Sequence, residues 1–535
     1  MKKIALIAFI ILSGKLFAQP NPQPALIPMP NYIQPAQGTF ALSDTTVIVG
    51  KEDAFETLFL KQYLEKNYGI NVKIDAHYPP FKNFISLMYI LGGNPADMDQ
   101  EAYQVKITKK GITLSAYADA GIFYAIQTLT QLLPVEKNSR LLVPCLQIVD
   151  APRYQWRGMH LDCCRHFFTK DEVKKYIDYL AMYKMNTFHW HLTDDQGWRI
   201  ESKKYPLLTT ISSQRKQTLV GKPSKDPKYD GIPYGGFYTQ EEIKEVVAYA
   251  AQRHITVVPE IEMPGHALAA LAAYPQYSCT GGPFETYTTW GVSDDVFCAG
   301  NDSTYAFIEN VLDEVMELFP GKYIHIGGDE CPKERWKACS KCKARMKAEK
   351  LKDANQLQSY FVTRIEKYVN SKNRQVIGWD EILEGGLAPN AAVMSWRGTE
   401  GGIAAAKLEH NVVMTPGKPL YFDHYQSKNK AAEPLAIGGF NPVDSVYNYD
   451  PNPKALTAGE QKYIMGAQAN LWTEYITSFS QVEYMAMPRM AALSEVVWTK
   501  PENKNFKSFS ERLKLHSKIL DRMQVNYAKH FISQN

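Results

Sequence analysis

Beyond its first dozen residues the sequence has no run long and apolar enough to span a bilayer, which argues against a transmembrane helix. It lacks a surplus of either charge: 60 Lys and Arg stand against 56 Asp and Glu, for a formal net charge of +4. Nucleic-acid binders usually concentrate cations on one face, so this near balance gives no case for nucleic acid as a partner. Cysteine is sparse, eight in 535 residues, and the first is Cys145. No thiol closely follows the N-terminal apolar run, so lipid attachment at a processed N-terminus is not expected. What the chain has is length, enough for two domains or for one large barrel with an appendage.

The start reads as an export signal covering 1–18. Lys2 and Lys3 are followed by an apolar run over 4–12, and Ala18 offers a small residue before Gln19. The run is too short and wrongly flanked for a membrane span. The expected location is therefore periplasmic, cell-surface or secreted. Export permits disulfides, and Cys279 and Cys298 are expected to close the Gly/Thr/Tyr-rich segment between them. Cys331, Cys339 and Cys342 cluster further on. Zinc would need a fourth ligand and better spacing, so a disulfide plus a spare thiol is the expectation, with no metal. Cys163 and Cys164, adjacent in a predicted strand, face opposite ways and read as free thiols.

Residues 20–37 are Pro-rich and polar. From 38 to 144 short alternating strands, such as 103–107 and 111–116, mix with helical stretches. Residues 121–133 read as an amphipathic helix with Ile122, Ala125, Ile126 and Leu129 along one side, ended by Pro134. Residues 19–150 thus form a small α+β domain. From Arg157 short apolar strands alternate with longer helical stretches, the pattern of a parallel sheet. The candidate strands are 158–161, 187–192, 255–259, 323–326, 376–379, 393–396, 412–415 and 464–467. Eight βα units closing on themselves make an α/β fold, a (β/α)8 TIM barrel, over 151–503; a doubly wound sheet is the alternative. A helical segment, 504–535, packs back on it. Polar and aromatic residues gather where the strands end, the face where a barrel carries its active site. The long connections near 200–240 and 275–300 would build its walls.

The sharpest motif is His325-Ile326-Gly327-Gly328-Asp329-Glu330. Two glycines permit a tight exit from a strand and a close approach of backbone or ligand. Adjacent carboxylates point in different directions and can hold different roles. One can be an acid whose pKa is raised by burial and by its neighbour's charge; the other can orient substrate. An isolated Asp-Glu pair would equally suit a helix N-terminus, but the end of a fourth barrel strand favours chemistry. In His189-Trp190-His191-Leu192-Thr193-Asp194-Asp195 the two His share one strand face and Trp190 takes the other. The ligand set for a metal is incomplete, and a His/Asp relay is the better reading. His266, in Pro259-Glu260-Ile261-Glu262-Met263-Pro264-Gly265-His266, is placed to hydrogen-bond a carboxylate and tune its proton affinity. Trp379, Trp396 and Trp472 each follow a predicted strand. Together they describe an aromatic cup for one sugar and its apolar substituent, with Arg165, Asp423 and Glu474 addressing hydroxyls.

At this point the sequence resembles family 20 glycoside hydrolases, the β-N-acetylhexosaminidases, over about 25–500. The motifs are RGMHLDCCRHF (157–167), NTFHWHLTDDQGWRIE (186–201), VVPEIEMPGHA (257–267), HIGGDE (325–330) and GAQANLWTE (466–474). The resemblance implies exo-cleavage of terminal β-linked GlcNAc, often also GalNAc, with retention and without cofactor or metal. It implies that the substrate's own 2-acetamido oxygen is the nucleophile and forms an oxazolinium ion. Carried over by motif, Glu330 is the general acid/base and Asp329 orients the acetamido group. Tyr421 aims the acetamido oxygen, and Trp379, Trp396 and Trp472 surround group and ring. Arg165 and Glu474 bind hydroxyls, with Asp423 touching a distal one. Asp194 and His266 form a relay behind Glu330. Acid catalysis requires Glu330 protonated near the working pH, and Asp329 is expected to stay ionised. Two rivals are a retaining hydrolase with a carboxylate nucleophile, for which Glu474 is the tempting residue, and a carbohydrate-binding barrel without turnover. The intact Asp329-Glu330 pair argues against the second.

Overall fold

The computed structural model describes residues 24–77, 81–91, 99–136 and 141–533; the expected export signal, 1–18, lies outside them. A seven-stranded sheet comes first, in the order β1-β7-β5-β6-β4-β2-β3. Its strands are β1 (Tyr32–Leu42), β2 (Val47–Val49), β3 (Lys73–Asp75), β4 (Phe84–Tyr89), β5 (Tyr103–Thr108), β6 (Gly111–Ala116) and β7 (Leu141–Asp150). β5 alternates buried and exposed residues along its whole length, so one face is core and the other is wet. The helix Asp119–Leu132 lies on the core face and is buried almost all round. Such a helix needs cover on two sides, and the barrel supplies the second: Phe123 packs on His254 and Tyr124 meets Trp498 edge-on.

The barrel is closed and all its strands are parallel. They are Trp156–Asp162, Thr187–His191, Thr256–Glu260, Tyr323–His325, Gln375–Trp379, Ala392–Ser395, Val412–Met414 and Ile464–Ala469, each where the sequence predicts a strand. Gly466 pairs with Trp156 to shut the ring. The enclosing helices start on strong caps; Thr169 and Thr239 each form a capping box with the Glu three residues on. The barrel interior is filled. Trp156, Val258, Tyr323, Ile377, Met394 and Val413 pack in one buried cluster. Among the described residues, a buried polar cluster is also centred on Glu260, with His189 and His325 each 3.0 Å from its carboxyl and the Trp379 indole donating at 2.7 Å. Burial works against that charge, but His325, His191 and His189 hold the Glu260 carboxyl well below the usual range.

Arg157, fully buried on the first barrel strand, clamps the two units. It donates to both Glu101 oxygens, at 2.6 and 2.9 Å, and to the Tyr124 hydroxyl at 3.1 Å. The helix Phe506–Arg522 docks through Arg512, bidentate to Glu495 at 2.7 and 2.8 Å.

The cysteines differ from expectation. All eight are free thiols, so Cys279 and Cys298 are not joined to each other. Both instead meet Cys339 and Cys342, which belong to the next connection. Sequence order hid this because the partners come from two loops that cross in space. Cys331 stays apart, packed beneath Gly265. Cys163 and Cys164 are buried just past the end of their strand, not within it.

Candidate active site

The fourth barrel strand ends at His325, and the chain leaves it through Gly327 and Gly328, both at positive φ (64° and 94°). A Cβ on Gly327 would lie 1.7 Å from Glu262 Oε2, so only glycine fits that exit. The Gln358 amide donates to the Gly328 carbonyl at 2.8 Å and fixes the turn. Glu330 follows with φ 45°, and His266 opposite has φ 47°. Non-glycine residues in the left-handed region typically cost ~1–3 kcal/mol each and cluster at functional sites.

These two turns bring the expected residues together. His266 Nε2 lies 3.6 Å from Glu330 Oε2 and 3.8 Å from Asp329 Oδ2. Its Nδ1 faces Asp194 Oδ1 at 3.1 Å and Asp195 Oδ2 at 3.3 Å. Arg165 in turn donates to Asp194 Oδ2 at 2.7 Å. A continuous charged chain thus runs from Arg165 through Asp194 and His266 to Glu330. Across from it, Trp396 stacks on Tyr421 with centroids 6.0 Å apart, Tyr421 meets Trp472 at 6.4 Å, and Trp472 meets Trp379 at 5.8 Å. Between the two sides lies a cavity of about 520 Å³ at the C-terminal face of the barrel. All the expected site residues line it except Asp194 and Trp379. Asp194 sits behind Arg165 and His266; Trp379, only 1% exposed, is the floor beneath Trp472. The filled barrel below makes the cavity blind.

A family model described as glycosyl hydrolase family 20, catalytic domain, matches residues 154–501, and one for domain 2 of the same family matches 23–151. The chain belongs to glycosyl hydrolase family 20. A β-hexosaminidase of Porphyromonas gingivalis is 46% identical over 94% of this chain; the chain spans only 64% of that relative's length. A β-hexosaminidase of Vibrio furnissii is 37% identical over 88% of this chain and 76% of its own. A solved exo-β-N-acetylglucosaminidase of Vibrio harveyi, in complex with N-acetylglucosamine, superposes with TM-score 0.83 at 32% identity, covering 94% of this chain and 78% of that one.

The electrostatics of this family 20 site depart from the expected protonation order. Burial pushes the Asp329 carboxyl up to about 6, against the opposing pull of His266. Glu330, whose side chain is 45% exposed, is held below its ordinary value chiefly by the His266 ring, 3.6 Å away. The free site therefore favours a charged Glu330 and a more easily protonated Asp329, the reverse of the sequence-based expectation. The reason is placement: Asp329 is buried near the charges of Glu260 and Glu330, while Glu330 faces an imidazolium. Burial lowers the proton affinity of His266, but Asp194 more than restores it and holds the ring well above its usual value. Burial and the charge of Glu474 raise Asp423 well above the carboxylate range. The Tyr421 phenol is raised as well, mainly by burial, so it stays a donor.

Some participants carried no role in the sequence reading. Asp195 accepts from the backbone of Leu268 and of Ser293, at 2.9 and 3.2 Å, and so ties the His266 turn to the 275–300 loop. Glu381 accepts from the Trp396 indole at 2.9 Å, and burial pushes its carboxyl up to about 8. Asp195 stands in the His189–Asp195 motif and Glu381 two residues past Trp379 at a strand end, and those positions were the available signal. Lys418, His424 and Ile437 also line the cavity from irregular loops that show no periodic pattern.

Proposed function

We propose that this chain is an exo-acting, retaining β-N-acetylhexosaminidase that removes terminal, non-reducing β-linked GlcNAc, with GalNAc as the second candidate sugar. The observation that carries the reading is the cavity itself: Tyr421 and Asp329 flank a Trp-walled pocket beside Glu330, which His266 backs at 3.6 Å. The pocket suits one sugar with an apolar acetyl group, and the names of the relatives agree with that substrate class.

In this mechanism the acetamido oxygen attacks the anomeric carbon while Glu330 gives its proton to the departing glycosidic oxygen. Asp329 accepts the acetamido N–H and stabilises the positive charge of the oxazolinium ion; Tyr421 donates to the acetamido oxygen and aims it. Water then attacks the anomeric carbon, Glu330 takes its proton, and the carbon–oxygen bond of the ring intermediate breaks. A nucleophile already on the substrate can be worth about 7–11 kcal/mol when the site fixes its geometry. Binding also sets the protonation order: an N–H on Asp329 favours its charged form, and an aglycone covering Glu330 strips water and favours its neutral form. Arg165 and Glu474 hold hydroxyls at the blind end, which limits cleavage to chain ends.

The test compares aryl β-glycosides of GlcNAc and of glucosamine at several pH values. Strong turnover of the first with almost none of the second is expected. Comparable turnover of both would sink acetamido participation, and a covalent sugar trapped on Glu474 would identify the rival nucleophile. We also propose export, on the strength of Lys2, Lys3 and the apolar run over 4–12. A mature N-terminus at Gln19 is the expected result of N-terminal sequencing.

A further inference from the structure

Four thiols meet away from the catalytic cavity. Cys279 and Cys298 bracket the long connection that follows the third barrel strand. Cys339 and Cys342 stand in a C-x2-C turn at the start of the helix Ser340–Ala348, in the connection that follows Glu330. The Sγ atoms of Cys279 and Cys342 are 3.7 Å apart, those of Cys298 and Cys342 3.7 Å, and those of Cys298 and Cys339 3.8 Å. All four lie within 4.8 Å of one another. Four sulfurs at about 2.3 Å from a tetrahedral zinc ion stand about 3.8 Å from each other, whereas bonded sulfurs are about 2.05 Å apart. We propose that Cys279, Cys298, Cys339 and Cys342 hold a structural Zn²⁺.

The surroundings suit it. C-x2-C is the usual spacing for half of such a site. Soft thiolates in tetrahedral array select zinc or iron, and with four protein ligands no position is left for substrate or water, as in structural sites. Binding releases four thiol protons and leaves a centre of charge −2. Cys339 caps the helix Ser340–Ala348 and Cys342 lies in its first turn, so the positive end of the helix faces that charge. The Gly300 N–H is hydrogen-bonded to Cys298. Gly300 also lies flat on the C-x2-C turn: a Cβ there would be 2.2 Å from the Lys341 carbonyl carbon and 2.4 Å from the Cys342 nitrogen. The two loops are shaped to each other down to the backbone. Cys298 and Cys342 are fully buried.

The ion would staple two connections that serve the catalytic face. The 279–298 loop reaches Asp195 through Ser293 N–H and Tyr287 N–H, at 3.2 and 2.9 Å, and Asp195 supports His266. The other connection begins at Glu330. Zinc here is a positioning element and takes no part in bond breaking.

The experiment uses the full chain, purified without chelator from zinc-supplemented cells. Elemental analysis should find about one zinc per chain, and X-ray absorption should find four sulfur neighbours at about 2.3 Å. Cys339→Ser/Cys342→Ser should lose the metal; if that variant fails to fold, the wild-type absorption spectrum decides alone. Metal-free protein that takes up no added zinc, peptides joined by disulfides among these cysteines, or iron in place of zinc would each overturn the assignment. None of these readouts depends on glycosidase activity.

Discussion

Asp329 is the residue at which folding and the proposed chemistry oppose each other. Its carboxyl rises to about 6 from an ordinary 3.8 on burial. A carboxyl raised by folding contributes stability below its unfolded value and loses it as pH rises through the folded one. Asp329→Asn, a permanent mimic of the protonated form, should therefore raise Tm at pH 7.5, by the equivalent of roughly 1–3 kcal/mol. The gain should fade between pH 6 and pH 4, and catalytic rate should fall at every pH. Thermal melts across that range check it; an unchanged Tm at pH 7.5 would mean the buried charge is compensated elsewhere. Glu330 gives the second prediction. Glu330→Gln should slow hydrolysis of poor leaving groups by about 10²–10⁴-fold and of activated aryl glycosides far less. Equal losses on both would remove it as the acid. The identities of these residues were legible because strand-end motifs crowd polar groups into a few positions. Their protonation order was not, since it depends on which carboxylate is buried and which faces His266.

The strand-to-loop transitions hold the site in place, and Gly327 is the tightest of them. Gly327→Ala combines a positive φ with a Cβ driven into Glu262. The expected result is a stability loss of roughly 2 kcal/mol or more and a fall in kcat beyond tenfold, because displacement near 1 Å can cost ~10²-fold. Denaturation and kinetics on one preparation test both; a wild-type kcat would show that the turn relaxes freely. At this scale the sequence was most readable. Alternation in β5 and the eight short apolar runs each carry a period that burial enforces. The loops were less so. Cys279 and Cys298 suggested a closed ring, yet both turn toward Cys339 and Cys342, and no local pattern records which loops cross.

Between the two units, Arg157 and Glu101 form the clamp. Arg157→Met should strand a carboxylate that is 23% exposed and cost about 3 kcal/mol, the low end for a broken buried pair. Adding Glu101→Leu should recover most of that loss, with kcat little changed in either variant. Stability of the single and double variants measures it, and a double variant no better than the single would assign the loss to packing. The division into an α+β unit and a barrel followed from the change of texture near Arg157; the clamp itself, built from residues far apart in the chain, did not. Under the proposed function, the blind cavity has a consequence for how the molecule would work through a polymer. With its floor closed by a filled barrel, the released sugar must leave by the mouth through which the next chain end enters. An enzyme acting as proposed would therefore not thread or slide along a glycan: each cut would end in full dissociation, and accumulating free monosaccharide would compete directly with the next substrate.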